Sequence, residues 1–137
     1  MNKKIKIFDL SEQYKSISKE VNRNILGILK SGQYILGGNV EELEAKFSKF
    51  IGSKYSVSCN SGTDALVLSL RALNIGHGDE VITTPFTYFA TAEAIVLVGA
   101  KPIFVDINPH TFNINYKNIE KHINKRTKAI MPVHIFG

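Results

Sequence analysis

The sequence holds one cysteine, no tryptophan and only four prolines in 137 residues. A single thiol, Cys59, cannot build a disulfide framework, and it fits a reducing compartment. Scarce proline and ten glycines exclude a collagenous or low-complexity chain. The apolar runs all fall short of the ~20 residues that a membrane-spanning helix requires. Met1-Asn2-Lys3-Lys4-Ile5-Lys6 is followed by Asp9, Ser11 and Glu12 rather than by an apolar block, so the expectation is a cytoplasmic chain with no membrane segment. With 44% hydrophobic and 21% charged residues, the length is that of one ordinary globular domain able to bury a core.

Acidic residues are also few, which leaves a formal charge of +5. The excess is patchy. It sits in Lys3, Lys4 and Lys6 and in Lys117, Lys121, Lys125, Arg126 and Lys128, whereas residues 55–100 carry Arg71 against Asp64, Asp79, Glu80 and Glu93. Fourteen lysines accompany three arginines. Bidentate reading of guanine relies mainly on arginine, so this balance describes a solvated lysine-rich surface and no nucleic-acid partner.

Tyr14, Ile17, Val21, Ile25, Ile28 and Leu29 recur at helical spacing and stop at Ser31-Gly32, predicting a helix over residues 11–31. A second helix is predicted from Asn39, with Glu42 as its capping-box partner, Val40, Leu43, Phe47 and Phe50 on one face and Gly52 as the stop. The loop between them, Gly32 to Gly38, has an apolar centre that suggests packing. Beyond residue 54 short β-branched runs alternate with helical stretches. Strands are predicted at Tyr55–Cys59, Glu80–Thr84, Pro102–Asp106 and Ala129–Ile135. Helices are predicted at Thr63–Leu73, Tyr88–Val98 and Tyr116–Ile123. The alternation specifies an α/β class with a mainly parallel sheet. The division expected is a helical segment over 1–53 and an α/β portion over 54–137.

Two segments carry chemistry. Ser58-Cys59-Asn60-Ser61-Gly62-Thr63-Asp64-Ala65-Leu66 places a small polar turn between a strand and a helix start, where free N–H groups and the helix dipole suit a phosphate. The same turn also suits a plain N-cap by Ser61 or Thr63. Neither the Walker nor the Rossmann glycine pattern is present. Thr84-Pro85-Phe86-Thr87-Tyr88-Phe89-Ala90-Thr91 follows the next strand and lies on the same rim of the sheet, where ligands of open α/β sheets bind. Tyr88 there can stack on a flat ring or serve as core.

These segments, taken with Gly76-His77-Gly78-Asp79-Glu80-Val81-Ile82, Gly99 to Ile107 and Thr127 to His134, are similar in order and spacing to the DegT/DnrJ/EryC1/StrS family of pyridoxal-phosphate-dependent aminotransferases of nucleotide-linked keto sugars. Ser31 to Gly37 resembles that family's N-terminal region. The resemblance implies the three-layer, mainly parallel sheet of the fold-type I large domain, apparently incomplete here. It implies pyridoxal 5'-phosphate as cofactor, with Gly62, Thr63 and Asp64 at its phosphate and Tyr88 against its ring. Tyr34 is implied as a sugar contact near a subunit boundary. Asp106 and His134 fall in matching motifs with no chemical role assigned.

By the same resemblance, the substrates are a nucleotide-linked keto sugar and an amino-acid donor, glutamate, and the active protein is a homodimer. The Schiff-base lysine and the carboxylate facing the pyridine nitrogen are expected beyond Gly137, and Lys101 and Lys128 match non-catalytic strand positions. The 137-residue chain by itself is therefore expected to be inactive. A related branch that dehydrates sugars has histidine in place of that lysine, so transfer and dehydration both stay open. So does a non-catalytic product that is truncated or split and binds phosphate or a partner chain, which is motivated by a final strand lacking a covering helix.

Overall fold

The computed structural model describes residues 6–137 and divides into two units, Met1–Ser58 and Cys59–Gly137. No helix among the described residues is long and apolar enough to cross a membrane.

The first unit contains α1, Ser11–Ser31, and α2, Gly38–Ile51. Helix α1 has the predicted limits. Gly32 takes a left-handed φ of 72° as its C-cap and returns its N–H to the Ile28 carbonyl, a conformation that glycine adopts without a Cβ clash. Helix α2 starts differently from expectation. Its N-cap is Gly37, without a side-chain cap bond, and Asn39 lies inside the first turn. Glu42 instead pairs with Lys46 at 2.5 Å, one helical turn on, so the capping box does not form. The apolar stripes of both helices are present but uncovered, with Ile25, Leu29, Leu43, Phe47 and Phe50 all exposed. The loop centre is uncovered too, since Tyr34, Ile35 and Leu36 are exposed.

Tyr55–Cys59 is not a strand. A strand needs a neighbour to take up its backbone groups. Here Ser58 instead gives its N–H and its hydroxyl to one oxygen of Glu44, at 2.6 and 2.8 Å, while Tyr55 and Val57 stay exposed. These bonds, the N–H first, hold the Glu44 carboxyl below its ordinary pKa. Because the folded-state value is depressed, the tie is complete above the unfolded glutamate value of about 4.3 and is lost as the pH falls through the lower folded value. Ser58 amide exchange, corrected for its intrinsic pH dependence, is expected to lose protection on acidification through and below the ordinary glutamate range. At neutral pH Glu44→Gln should reproduce the loss, and equal protection in that variant would show that the carboxylate charge does not hold Ser58.

The second unit runs α3 (Gly62–Ala72), β1 (Glu80–Thr83), α4 (Ala90–Leu97), β2 (Lys101–Phe104), α5 (Tyr116–Ile119) with a following 3-10 turn (Glu120–His122), and β3 (Thr127–Ile130). All strand pairs are parallel and the order is β2-β1-β3. Central β1 is buried along its length, as a parallel strand flanked on both sides should be. Leu70 of α3, Val81 of β1, and Ala94 and Ile95 of α4 form the core with Ile75 and Ala100, and Leu66, Val67, Val98, Ala129 and Met131 pack against it.

Strand β3 spans Thr127–Ile130, so it starts two residues before the predicted Ala129 and stops five short of the predicted Ile135. Met131 still donates to Ile82 O at 2.8 Å, and Pro132, having no N–H, cannot continue the ladder. Helix α4 begins two residues later than predicted, which leaves Tyr88 in the turn before it. The chain leaves β1 for a neighbour on one side and returns to β3 on the other. In open α/β sheets such a reversal opens a crevice at the carboxyl ends of the strands.

Candidate functional site

At α3 the residue before the helix, Ser61, is extended, with φ −155° and ψ 165°. Its Oγ accepts the Asp64 N–H at 3.1 Å and donates to Asp64 Oδ2 at 2.9 Å, while its carbonyl accepts the Ala65 N–H at 3.0 Å. This is the N-cap that the local sequence allowed, with aspartate as its reciprocal partner. Two of the four N–H groups at the helix start are thereby used. Those of Gly62 and Thr63 find no acceptor among the described residues. A side-chain cap and two open donors therefore coexist at one terminus, the arrangement that a helix start needs if it is to take an anion.

Gly62 and Thr63 line a cavity of about 430 Å³ together with Leu66, Tyr88, Ala90 and Thr91. The structure thus brings together three of the residues singled out in the sequence, Gly62, Thr63 and Tyr88. A Cβ placed on Gly62 meets nothing within 4 Å, so the backbone there faces open space. Tyr88 is 81% exposed, so its ring is left largely uncovered by the chain.

Asp64 does not line this cavity. Its N–H and one carboxylate oxygen are both engaged by Ser61. Tyr34 lies in the other unit and lines a separate hollow of about 480 Å³ with Gln33, Ile35, Leu36 and Glu41. Its hydroxyl donates to the Leu29 carbonyl at 3.1 Å, satisfying one of the terminal carbonyls of α1. Asp106 holds a turn: its Oδ1 accepts the Ile107 N–H at 2.7 Å and its carbonyl the Asn115 N–H at 2.9 Å.

Thr91 is the cavity residue that sequence reasoning passed over. It is 7% exposed and stands in a helix, Ala90 to Leu97, whose only other polar residue is Glu93. A hydroxyl among alanines, three residues beyond an aromatic at a strand's carboxyl end, is the signal that could have found it.

Comparison with known proteins extends this geometry. A Pseudomonas aeruginosa protein named UDP-2-acetamido-2-deoxy-3-oxo-D-glucuronate aminotransferase is 49% identical over 133 residues, covering 97% of this chain and 37% of that protein. The crystal structure of S. venezuelae DesV in complex with a ketimine intermediate superposes with a TM-score of 0.94 at 38% identity, over 99% of this chain and 37% of that one. The Bacillus subtilis ntda structure with bound cofactor PMP gives a TM-score of 0.88 at 34% identity, over 99% of this chain and 32% of that one. The chain spans about a third of the length of the relatives it matches. Likeness of sequence and of backbone runs through both units, and residues 15–137 match the DegT/DnrJ/EryC1/StrS aminotransferase family, to which this chain belongs.

Proposed function

We propose that this chain supplies the phosphate cup and the ring-stacking face of a pyridoxal-phosphate-dependent aminotransferase that aminates a nucleotide-linked keto sugar, with glutamate as donor. The observation that carries the reading is the shared cavity, lined by the two residues with open N–H donors and by an exposed aromatic. The residues fit the group. Gly62 and Thr63 would take the phosphate with their N–H groups and the Thr63 hydroxyl, and Tyr88 would cover one face of the ring. Asp64 would act at one remove, fixing Ser61 and hence the direction of the two open donors.

Pyridoxal phosphate supplies, when bound, the electron sink on which amino-group transfer depends. The chain's own part is binding and orientation. Helix α3 meets the phosphate with backbone dipoles that need no reorganisation, and Tyr88 limits the tilt of the ring. A 3-keto sugar is the preferred substrate class, in keeping with the 3-oxo substrate in the name of the Pseudomonas relative. We assign Tyr34 to the sugar and a homodimer to the active protein, with helical residues 1–53 and α/β residues 54–137 as its successive segments here.

Titration of the purified chain with pyridoxal phosphate tests the proposal. Saturable change in the cofactor's absorbance is expected, with quenching of tyrosine fluorescence and displacement by inorganic phosphate. Tyr88→Ala should weaken cofactor binding about tenfold, the equivalent of ~1.4 kcal/mol, while leaving phosphate binding unchanged. Equal affinities in wild type and variant would remove Tyr88 from the site.

A further inference from the structure

We propose that the hydroxyl pair Thr87–Thr91 is a positioning device for the Tyr88 ring, an inference that rests on the cofactor reading above. Tyr88 sits in irregular backbone between β1 and α4 and is 81% exposed, so packing does little to fix its ring. What holds it is on either side. Thr91 donates its N–H to the Tyr88 carbonyl at 3.1 Å. The Oγ1 atoms of Thr87 and Thr91 lie 2.9 Å apart, so a hydrogen bond spans from the residue before Tyr88 to the residue three after it. Backbone and side chain together form a staple across the turn that presents the ring.

The burial of Thr91 gives the pair weight. Thr91 is 7% exposed, and a buried hydroxyl without a partner is costly. Its partner here is another hydroxyl, and two hydroxyls own two protons while their mutual bond uses one. Among the described residues the second proton has no acceptor. Thr91 also lines the cavity shared by Gly62, Thr63 and Tyr88. The pair can thus hold the turn and still offer one donor to whatever fills the space. The preceding turn is tied down separately, by the Phe86 N–H on Thr84 Oγ1 at 3.2 Å and the Thr87 N–H on the Pro85 carbonyl at 3.1 Å. Movement left to Tyr88 is therefore set mainly at the Thr87–Thr91 link.

The test uses the full chain and near-isosteric variants. Thr91→Val keeps the shape and deletes the hydroxyl, whereas Thr91→Ser keeps the hydroxyl. Pyridoxal phosphate affinity is expected to fall about five- to tenfold in Thr91→Val and to return to within about twofold in Thr91→Ser. Affinity for inorganic phosphate, which needs only the α3 donors, should be the same in all three proteins. The induced circular dichroism of the bound cofactor should shrink in Thr91→Val, because a ring free to rock transmits less asymmetry. Thr87→Val should give the same pattern from the other end of the link. A wild type that binds the cofactor and a Thr91→Val variant that binds it equally, with the same dichroism, would overturn the inference and leave the cofactor reading intact. Equal losses for phosphate and cofactor would overturn it as well, by showing a general loosening of the cavity. A wild type that binds no pyridoxal phosphate would overturn the reading and this inference with it.

Discussion

Gly62→Asp is expected to abolish anion binding while leaving the fold at least as stable as before. The two effects separate because of where Gly62 stands. It is the first residue of α3, its φ lies outside the left-handed region, and a Cβ there meets no atom within 4 Å. A side chain can therefore be added without strain. Replacing glycine also restricts the unfolded chain, and a carboxylate in the first helical turn interacts favourably with the dipole, each contributing about 0.5 kcal/mol. The same carboxylate would stand beside the open Gly62 and Thr63 donors. Like charges about 4 Å apart at a partly screened site repel by ~4 kcal/mol, so affinity for phosphate or pyridoxal phosphate should fall by at least a hundredfold. Gly62→Ala, which adds bulk without charge, should cost less than about tenfold. Urea unfolding and ligand titration on the same samples check both halves. A Gly62→Asp protein that binds phosphate like the wild type would show that the α3 terminus is not the cup.

The α3 terminus also marks how far the sequence could be read. The small polar turn and the helix start were legible, because an N-cap is local chemistry: Ser61 needs only a neighbour three residues on. The coexistence of cap and open donors was not, since which N–H groups remain free depends on the Ser61 rotamer, which the Asp64 carboxylate holds. Long periodic elements such as α1 were legible to the residue. Tyr55–Cys59 was misread as a strand because β-branched and aromatic composition says that a segment could pair, not that a partner exists, and Glu44 competes for its backbone from fourteen residues away. Thr91 was missed for a related reason. Its importance comes from the cavity that the turn after β1 and the start of α4 create with α3, and no local pattern announces that. The sheet order β2-β1-β3 adds what composition cannot, a reversal of direction at β1 that places Thr84 to Tyr88 at a crevice.

Glu80 should show the largest stability effect outside the cavity. It opens β1, and its side chain is 4% exposed, yet it carries a carboxylate. Burying that charge is tolerable only because both oxygens are bonded: Arg126 Nη2 lies 2.8 Å from Oε1, and Asn124 Nδ2 donates to Oε2 at 2.7 Å. The Glu80 N–H reaches the Arg126 carbonyl at 2.8 Å as well. These bonds close the amino end of the β1–β3 pair where its register slips, Glu80 facing Thr127 and Val81 facing Ala129. Arg126→Met removes the cation and leaves a buried anion with one amide donor, so unfolding free energy should fall by about 2–3 kcal/mol, less than the ~3–5 kcal/mol of a fully buried pair because Arg126 itself is largely exposed. Glu80→Gln loses the charge and keeps an acceptor, and should cost only about 1 kcal/mol. Combining the two should then cost less than the sum, since the second change removes the unpaired charge that made the first expensive. The order of the three variants in urea unfolding is the check. Arg126→Met unfolding like the wild type would mean that the Glu80 carboxylate needs no cation, and that Asn124 and the strand backbone alone hold β3 in register. Phosphate binding by the folded protein should be unchanged throughout, because Glu80 lies at the amino end of β1 and the α3–Tyr88 cavity at its carboxyl end.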